Sequence, residues 1–227
     1  MLPQITCMNW KAESPNLYEL FTASDVQHPD NYFSDIDTPR AIQAYREWED
    51  RLARLDPQSR QNIIERAAPL VSLRDTAKGR HWAALFETLN EVKGYNYLQD
   101  QGYTEVRFIP RTSVRTPDLH GSASFGEALL EVKTVNLSDK DISLSGKLQK
   151  GHHGLPEGLK NKLKSDYVTA CQQLHSFPVR EPARRICSFY INVDLELVLT
   201  RSNRQELIDF FASLKTDCEI YHHSQHW

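Results

Sequence analysis

Leu129-Leu130-Glu131-Val132-Lys133-Thr134-Val135 decides how this chain reads. It is a short apolar run that holds a carboxylate and an ammonium two residues apart. Its length and β-branched content predict a strand from Ala128 to Val135, the strongest strand signal in the sequence. Successive side chains on a strand point to opposite faces, so Glu131 and Lys133 share a face while Val132 points away. Charges set among Leu and Val are expensive to bury without a partner or a use. Upstream lies Thr116-Pro117-Asp118-Leu119. The separation suits a hairpin that would bring Asp118 and Glu131 to one end of the sheet. Two carboxylates then offer acceptors to a hard divalent cation beside a lysine, a set suited to phosphodiester hydrolysis.

The flanking sequence predicts an α/β domain. A helix is expected from about Gly79 to Gln101, with Trp82, Leu85, Leu89, Val92 and Leu98 near helical spacing and Gly102 as its C-cap. Tyr103 to Pro110 reads as a strand, and Asp118 to Gly121 as a second, short one. Residues 136–155 are polar and read as a loop. Pro156 opens a helix to about Ser176, with Leu159, Leu163, Tyr167, Ala170, Cys171 and Leu174 on one face. A buried strand follows within Arg184 to Leu199, then a helix from Arg204 to Lys215 and a final strand or extended tail from Cys218. The order is helix, strand, strand, strand, helix, strand, with helices flanking a sheet.

Residues 1–37 show no clear periodicity and are expected to be irregular or to form short turns. Asp37-Thr38-Pro39 reads as a helix start. Helices are expected from Arg40 to Leu55 and from Ser59 to Val71, separated by Asp56-Pro57. The organisation expected is an N-terminal helical extension over 1–75 and a second domain over 76–227.

Composition sets the class. The chain has 227 residues, 40% of them hydrophobic and 25% charged, ordinary for a globular protein with a proper core. No apolar stretch approaches the roughly 18 residues of a membrane span, and no secretory signal is evident, so a cytoplasmic location and no membrane partner are expected. Cys7, Cys171, Cys187 and Cys218 are scattered, which predicts reduced thiols rather than disulfides or a zinc site. The net charge is −3, unevenly spread: residues 1–60 hold six basic and ten acidic side chains, whereas 133–164 hold seven Lys and three acids. A polyanion would therefore meet the second region.

In their order and apolar flanks, Pro117-Asp118 and Glu131-Val132-Lys133 resemble the two halves of the PD-(D/E)xK nuclease signature. The resemblance covers roughly residues 80–195 and extends to archaeal Holliday-junction resolvases. It implies a restriction-endonuclease-like core, a mixed central sheet flanked by helices, that hydrolyses DNA phosphodiesters with Mg²⁺, for which Mn²⁺ can substitute. It implies metal ligation by Asp118, Glu131 and the Val132 carbonyl. Lys133 would orient or help deprotonate the attacking water, or stabilise the transition state. The family also carries an acid on the helix before the first strand, here Glu91, which would hold a metal-bound water or complete a second metal site, with Glu87 one turn earlier as the alternative. Many related enzymes act as dimers, so the resemblance also allows a homodimer. A catalytically silent binding module on the same fold, or a ribonuclease, is the alternative function.

Candidate contacts to the nucleic-acid backbone are Arg115, Lys147, Lys150, Lys160 and Lys164, with Arg111, Lys162, His152 and His153 nearby. Gln172 is a further nucleic-acid-binding candidate, and the resemblance would bring it or Gln173 near the metal centre. His222-His223-Ser224-Gln225-His226 reads as a polar terminus in preference to a zinc site. No Gly-x-Ser-x-Gly and no phosphate-cradling Gly-x-x-x-x-Gly-Lys loop occurs, which excludes a serine-hydrolase elbow and an ATP-driven motor.

Overall fold

The run around Glu131 forms the central strand of a five-stranded sheet. In the computed structural model the described residues are 10–33, 39–74, 82–136, 155–192, 201–214 and 217–225. The helices are α1 (Trp10–Glu13), α2 (Pro15–Ala23), α3 (Pro39–Ala53), α4 (Pro57–Ala67), α5 (Ala83–Asp100), α6 (Glu157–Ser176) and α7 (Arg201–Ser213). The strands are β1 (Glu105–Phe108), β2 (Leu119–Ala123), β3 (Gly126–Asn136), β4 (Ala183–Asn192) and β5 (Glu219–Gln225). They lie in the order β1-β2-β3-β4-β5. The first three form an antiparallel meander, and β3, β4 and β5 run parallel. Parallel neighbours need crossovers, and α6 and α7 supply them. The chain is thus α/β with a mixed, open sheet.

By packing, the chain divides into two units, Met1–Asn96 and Tyr97–Trp227. The expected boundary at residues 75–76 lies outside the described residues.

In the second unit, Leu129 and Val135 of β3 and Cys187, Phe189 and Ile191 of β4 pack with Leu159, Leu163, Tyr167, Ala170 and Leu174 of α6 and with Leu207 and Phe211 of α7. The odd-numbered side chains of β3 therefore face α6, and Glu131 and Lys133 belong to that row. Glu206 of α7 holds the start of α6: it accepts from the Leu155 N–H at 2.7 Å and pairs with Lys160 at 2.7 Å.

The end of α5 follows the expected cap. Gly102 has φ +89°, its N–H donates to Gln99 O at 2.9 Å, and the Tyr103 N–H donates to Leu98 O at 3.1 Å. These are the two bonds of a Schellman motif. The cap engages Tyr103, so β1 starts only at Glu105, and Pro110, lacking an N–H, lies beyond its end.

In the first unit the expected helices form, with Asp56 accepting from the N–H groups of Gln58 (2.9 Å) and Ser59 (3.1 Å) to cap α4. Pro69 ends α4 early, and Ala68–Leu70 is a 3₁₀ turn. The expectation of irregular structure over 1–37 is corrected by α2. Leu17 and Leu20 are buried on it, and its orphan N–H groups are met from another element. Glu49 of α3 accepts from the N–H groups of Asn16 at 3.3 Å and Leu17 at 2.8 Å. That cap is tertiary, so no local sequence signal announces it. Asp37 and Thr38 lie outside the described residues.

No described helix is long and apolar enough to cross a membrane.

Candidate active site

The hairpin ladder ends where the site begins. Pairing of β2 with β3 runs from Ala123–Gly126 to Leu119–Leu130. One further step in the same register sets Asp118 opposite Glu131, on one face. Asp118 takes the place of the missing rung: its Oδ2 accepts the Val132 N–H at 2.8 Å. The N–H and C=O of one strand residue point to the same edge, so the Val132 carbonyl points to the Asp118 side as well.

Glu131 is only 3% exposed. Its Oε1 accepts from Lys133 Nζ at 2.6 Å, while among the described residues its buried Oε2 has no hydrogen-bond partner. Burial holds the Glu131 carboxyl above the ordinary glutamate value, and the Lys133 ammonium opposes that shift. Lys133 Nζ also donates to Gln173 Oε1 at 3.1 Å, and Gln173 Nε2 donates to the Thr116 carbonyl at 3.1 Å. One α6 side chain thereby ties the lysine to the segment that delivers Asp118.

Asp118, Glu131, Val132 and Lys133 are thus brought together. Of the two adjacent glutamines, Gln173 reaches the site and Gln172 is exposed. The helical pattern carried the signal, since Gln173 is three residues from buried Ala170 and shares its side of α6. Glu91 is buried in the first unit, where Arg66 grips both carboxylate oxygens, Nη1 to Oε2 at 2.7 Å and Nη2 to Oε1. Glu87 is exposed.

The basic candidates differ. Arg111 and Arg115 are exposed in the segment before β2, and Lys164 is exposed on α6. Lys160 is engaged by Glu157 at 3.2 Å and Glu206 at 2.7 Å, and Lys162 by Asp166 at 2.9 Å. Lys147, Lys150, His152 and His153 lie outside the described residues. His222 sits on β5 with its ring stacked on Phe211, centroids 4.9 Å apart. Cys171, Cys187 and Cys218 are free thiols.

Among the described residues no group of three or more His, Cys, Asp and Glu side chains is arranged to hold a metal ion. Magnesium asks for less, taking one or two carboxylates with waters and substrate oxygens. The Asp118–Glu131 pair and the orphan Glu131 Oε2 fit that smaller demand. No model of a known protein family matches the chain, and no curated protein matches it.

Proposed function

We propose that the chain is a metal-dependent nuclease that hydrolyses DNA phosphodiester bonds on a restriction-endonuclease-like core. The observation that supports this most is Glu131: a buried carboxylate with an unpartnered oxygen, opposite Asp118 and bonded to Lys133. A buried polar atom left without a partner costs free energy, and a cation shared with Asp118 would supply one. When bound, Mg²⁺ or Mn²⁺ contributes Lewis acidity toward the phosphoryl group and makes a coordinated water more acidic.

The chain's own residues do the rest. The Val132 N–H fixes the orientation of the Asp118 carboxylate. Glu131 and Gln173 hold Lys133 Nζ in place. An ammonium has three donors, so one remains to orient the attacking water or to meet a phosphoryl oxygen as charge develops there. Arg111, Arg115 and Lys164 are exposed and would receive the flanking phosphates.

Incubation with Mg²⁺ or Mn²⁺ and a panel of duplex, single-stranded and branched DNA, and of RNA, tests the reading. DNA cutting that is lost on chelation and in Asp118→Asn is expected. Preferential cutting of RNA would make the chain a ribonuclease. A folded protein that cuts nothing would leave a silent binding module.

A further inference from the structure

The face that carries Glu131 and Lys133 continues onto β2 and β1. The register sets Glu127 opposite Ser122 and Ser122 opposite Glu105; Leu129 faces His120, and His120 faces Arg107. Opposed residues share a face. There Glu105, Arg107, His120, Ser122 and Glu127 line a cleft of about 270 Å³. His120 follows Asp118 by two residues on the same strand side, so the cleft adjoins the proposed cleavage site.

The lining has a definite hydrogen-bonding pattern. His120 is buried, with Nε2 3.2 Å from Glu127 Oε2 and a buried Nδ1 that has no partner among the described residues. The same Glu127 oxygen accepts from the Arg180 N–H at 3.3 Å, and Glu105 Oε2 accepts from Ser122 Oγ at 2.9 Å. Among the described residues no donor is bonded to Oε1 of either glutamate. Arg107 is exposed, and among the described residues its guanidinium meets no carboxylate at ion-pair distance.

We propose that this cleft takes one unstacked guanine of the nucleic-acid substrate, an inference that rests on the nuclease reading. A phosphate offers only acceptors and negative charge, and two carboxylates in the wall repel it. A simple cation is repelled by Arg107. The ligand must present acceptors to the arginine and donors to the glutamates along one small, planar outline. Guanine does so: O6 and N7 accept from Arg107, the commonest specific arginine–base contact, while N1–H and the N2 amino group donate to glutamate. The cleft is below the about 300–1,000 Å³ of pockets for drug-sized ligands, a size for one heterocycle. A base reaches such a cleft from single-stranded or locally opened substrate.

The test is titration of the full chain, without divalent cation, with fluorescent single-stranded pentamers TTGTT, TTATT, TTCTT and TTTTT. TTGTT is expected to bind about tenfold tighter than the others. That advantage should vanish in Arg107→Ala, shrink in Glu105→Gln, and shrink when 7-deazaguanine removes N7. Equal binding of the four, no binding at all, or a guanine preference that survives Arg107→Ala overturns the proposal. Guanosine 5′-monophosphate binding as tightly as TTGTT overturns assignment of the cleft to the nucleic-acid chain. Cleavage is read separately, so the two ideas fail apart. Guanine preference without cutting of any substrate sinks the nuclease reading, and cutting without guanine preference in binding sinks the cleft.

Discussion

Lys133 Nζ lies 2.6 Å from Glu131 Oε1, and the two come from alternate positions of one strand. Glu131 is the more deeply buried partner, so the pair is asymmetric: side-chain exposure is 19% for the lysine and 5% for the glutamate. Lys133→Met strands a buried carboxylate and is expected to cost about 3 kcal/mol. Glu131→Gln costs less, because Lys133 can reach water. The Glu131→Gln/Lys133→Met double variant should recover most of the loss in urea unfolding. Additive losses would show that the two side chains do not depend on each other.

Asp118→Asn keeps an oxygen for the Val132 N–H and removes the charge. It should unfold at the wild-type urea midpoint while DNA cutting falls on the order of 10²-fold or more. Asp118→Ala also orphans the N–H and should lose about 1 kcal/mol of stability. Retained cutting in the folded Asn variant would remove Asp118 from the mechanism.

Gln173 Oε1 accepts from Lys133 Nζ at 3.1 Å, so under the nuclease proposal it is a positioning residue that acts through the lysine. Gln173→Leu is expected to lower kcat roughly tenfold with KM little changed, because a misplaced lysine affects the transition state more than binding. Gln172→Ala serves as the neighbouring control and should match wild type. Equal effects from both would mean that the helix, not the Gln173 bridge, matters.

Glu91 has a structural partner in Arg66. Arg66→Ala should cost about 3–5 kcal/mol by leaving a buried carboxylate unpaired, and adding Glu91→Gln should restore much of it. If Glu91 also serves the reaction, cutting falls in the double variant despite recovered stability. Full activity in that double variant confines Glu91 to a structural role.

Lys93 contributes to the pH dependence of the first unit. Its Nζ lies 4.7 Å from the Trp48 ring centroid, and burial, with Arg51 adding repulsion, brings its pKa down to about 7 from 10.5. The unfolded chain binds the extra proton between these two values, so this group's contribution makes stability rise with pH from about 7 to 10.5. Lys93→Met removes that slope. It should be more stable than wild type by roughly 2–4 kcal/mol at pH 6, with little difference above pH 10. A gain that is the same at both ends would place the effect in packing.

Periodicity and local capping explain what the sequence could show. The alternation around Glu131 and Lys133 located β3 and their shared face, and Gly102 located the end of α5. Apolar spacing on α6 identified its core side, though only neighbouring Ala170 separates Gln173 from Gln172. Contacts between distant segments were not legible. Nothing near Pro15 announces that Glu49, far along the chain, caps α2, and nothing near Glu91 announces Arg66. The cleft on β1 and β2 likewise exists only once the register brings Glu105, His120 and Glu127 together.

The turn between β2 and β3 has two residues, Ser124 and Phe125, and it fixes more than a chain reversal. Because Asp118 occupies the next rung of that hairpin, the turn acts as a gauge for the distance between the two carboxylates. One inserted residue would slide the strands by a step and send Asp118 to the far face of the sheet. An insertion absorbed as a bulge would leave that pairing intact, so only one that shifts the register separates the two carboxylates. A register-shifting insertion at 124–125 is therefore expected to take apart the proposed site without changing a single ionisable group.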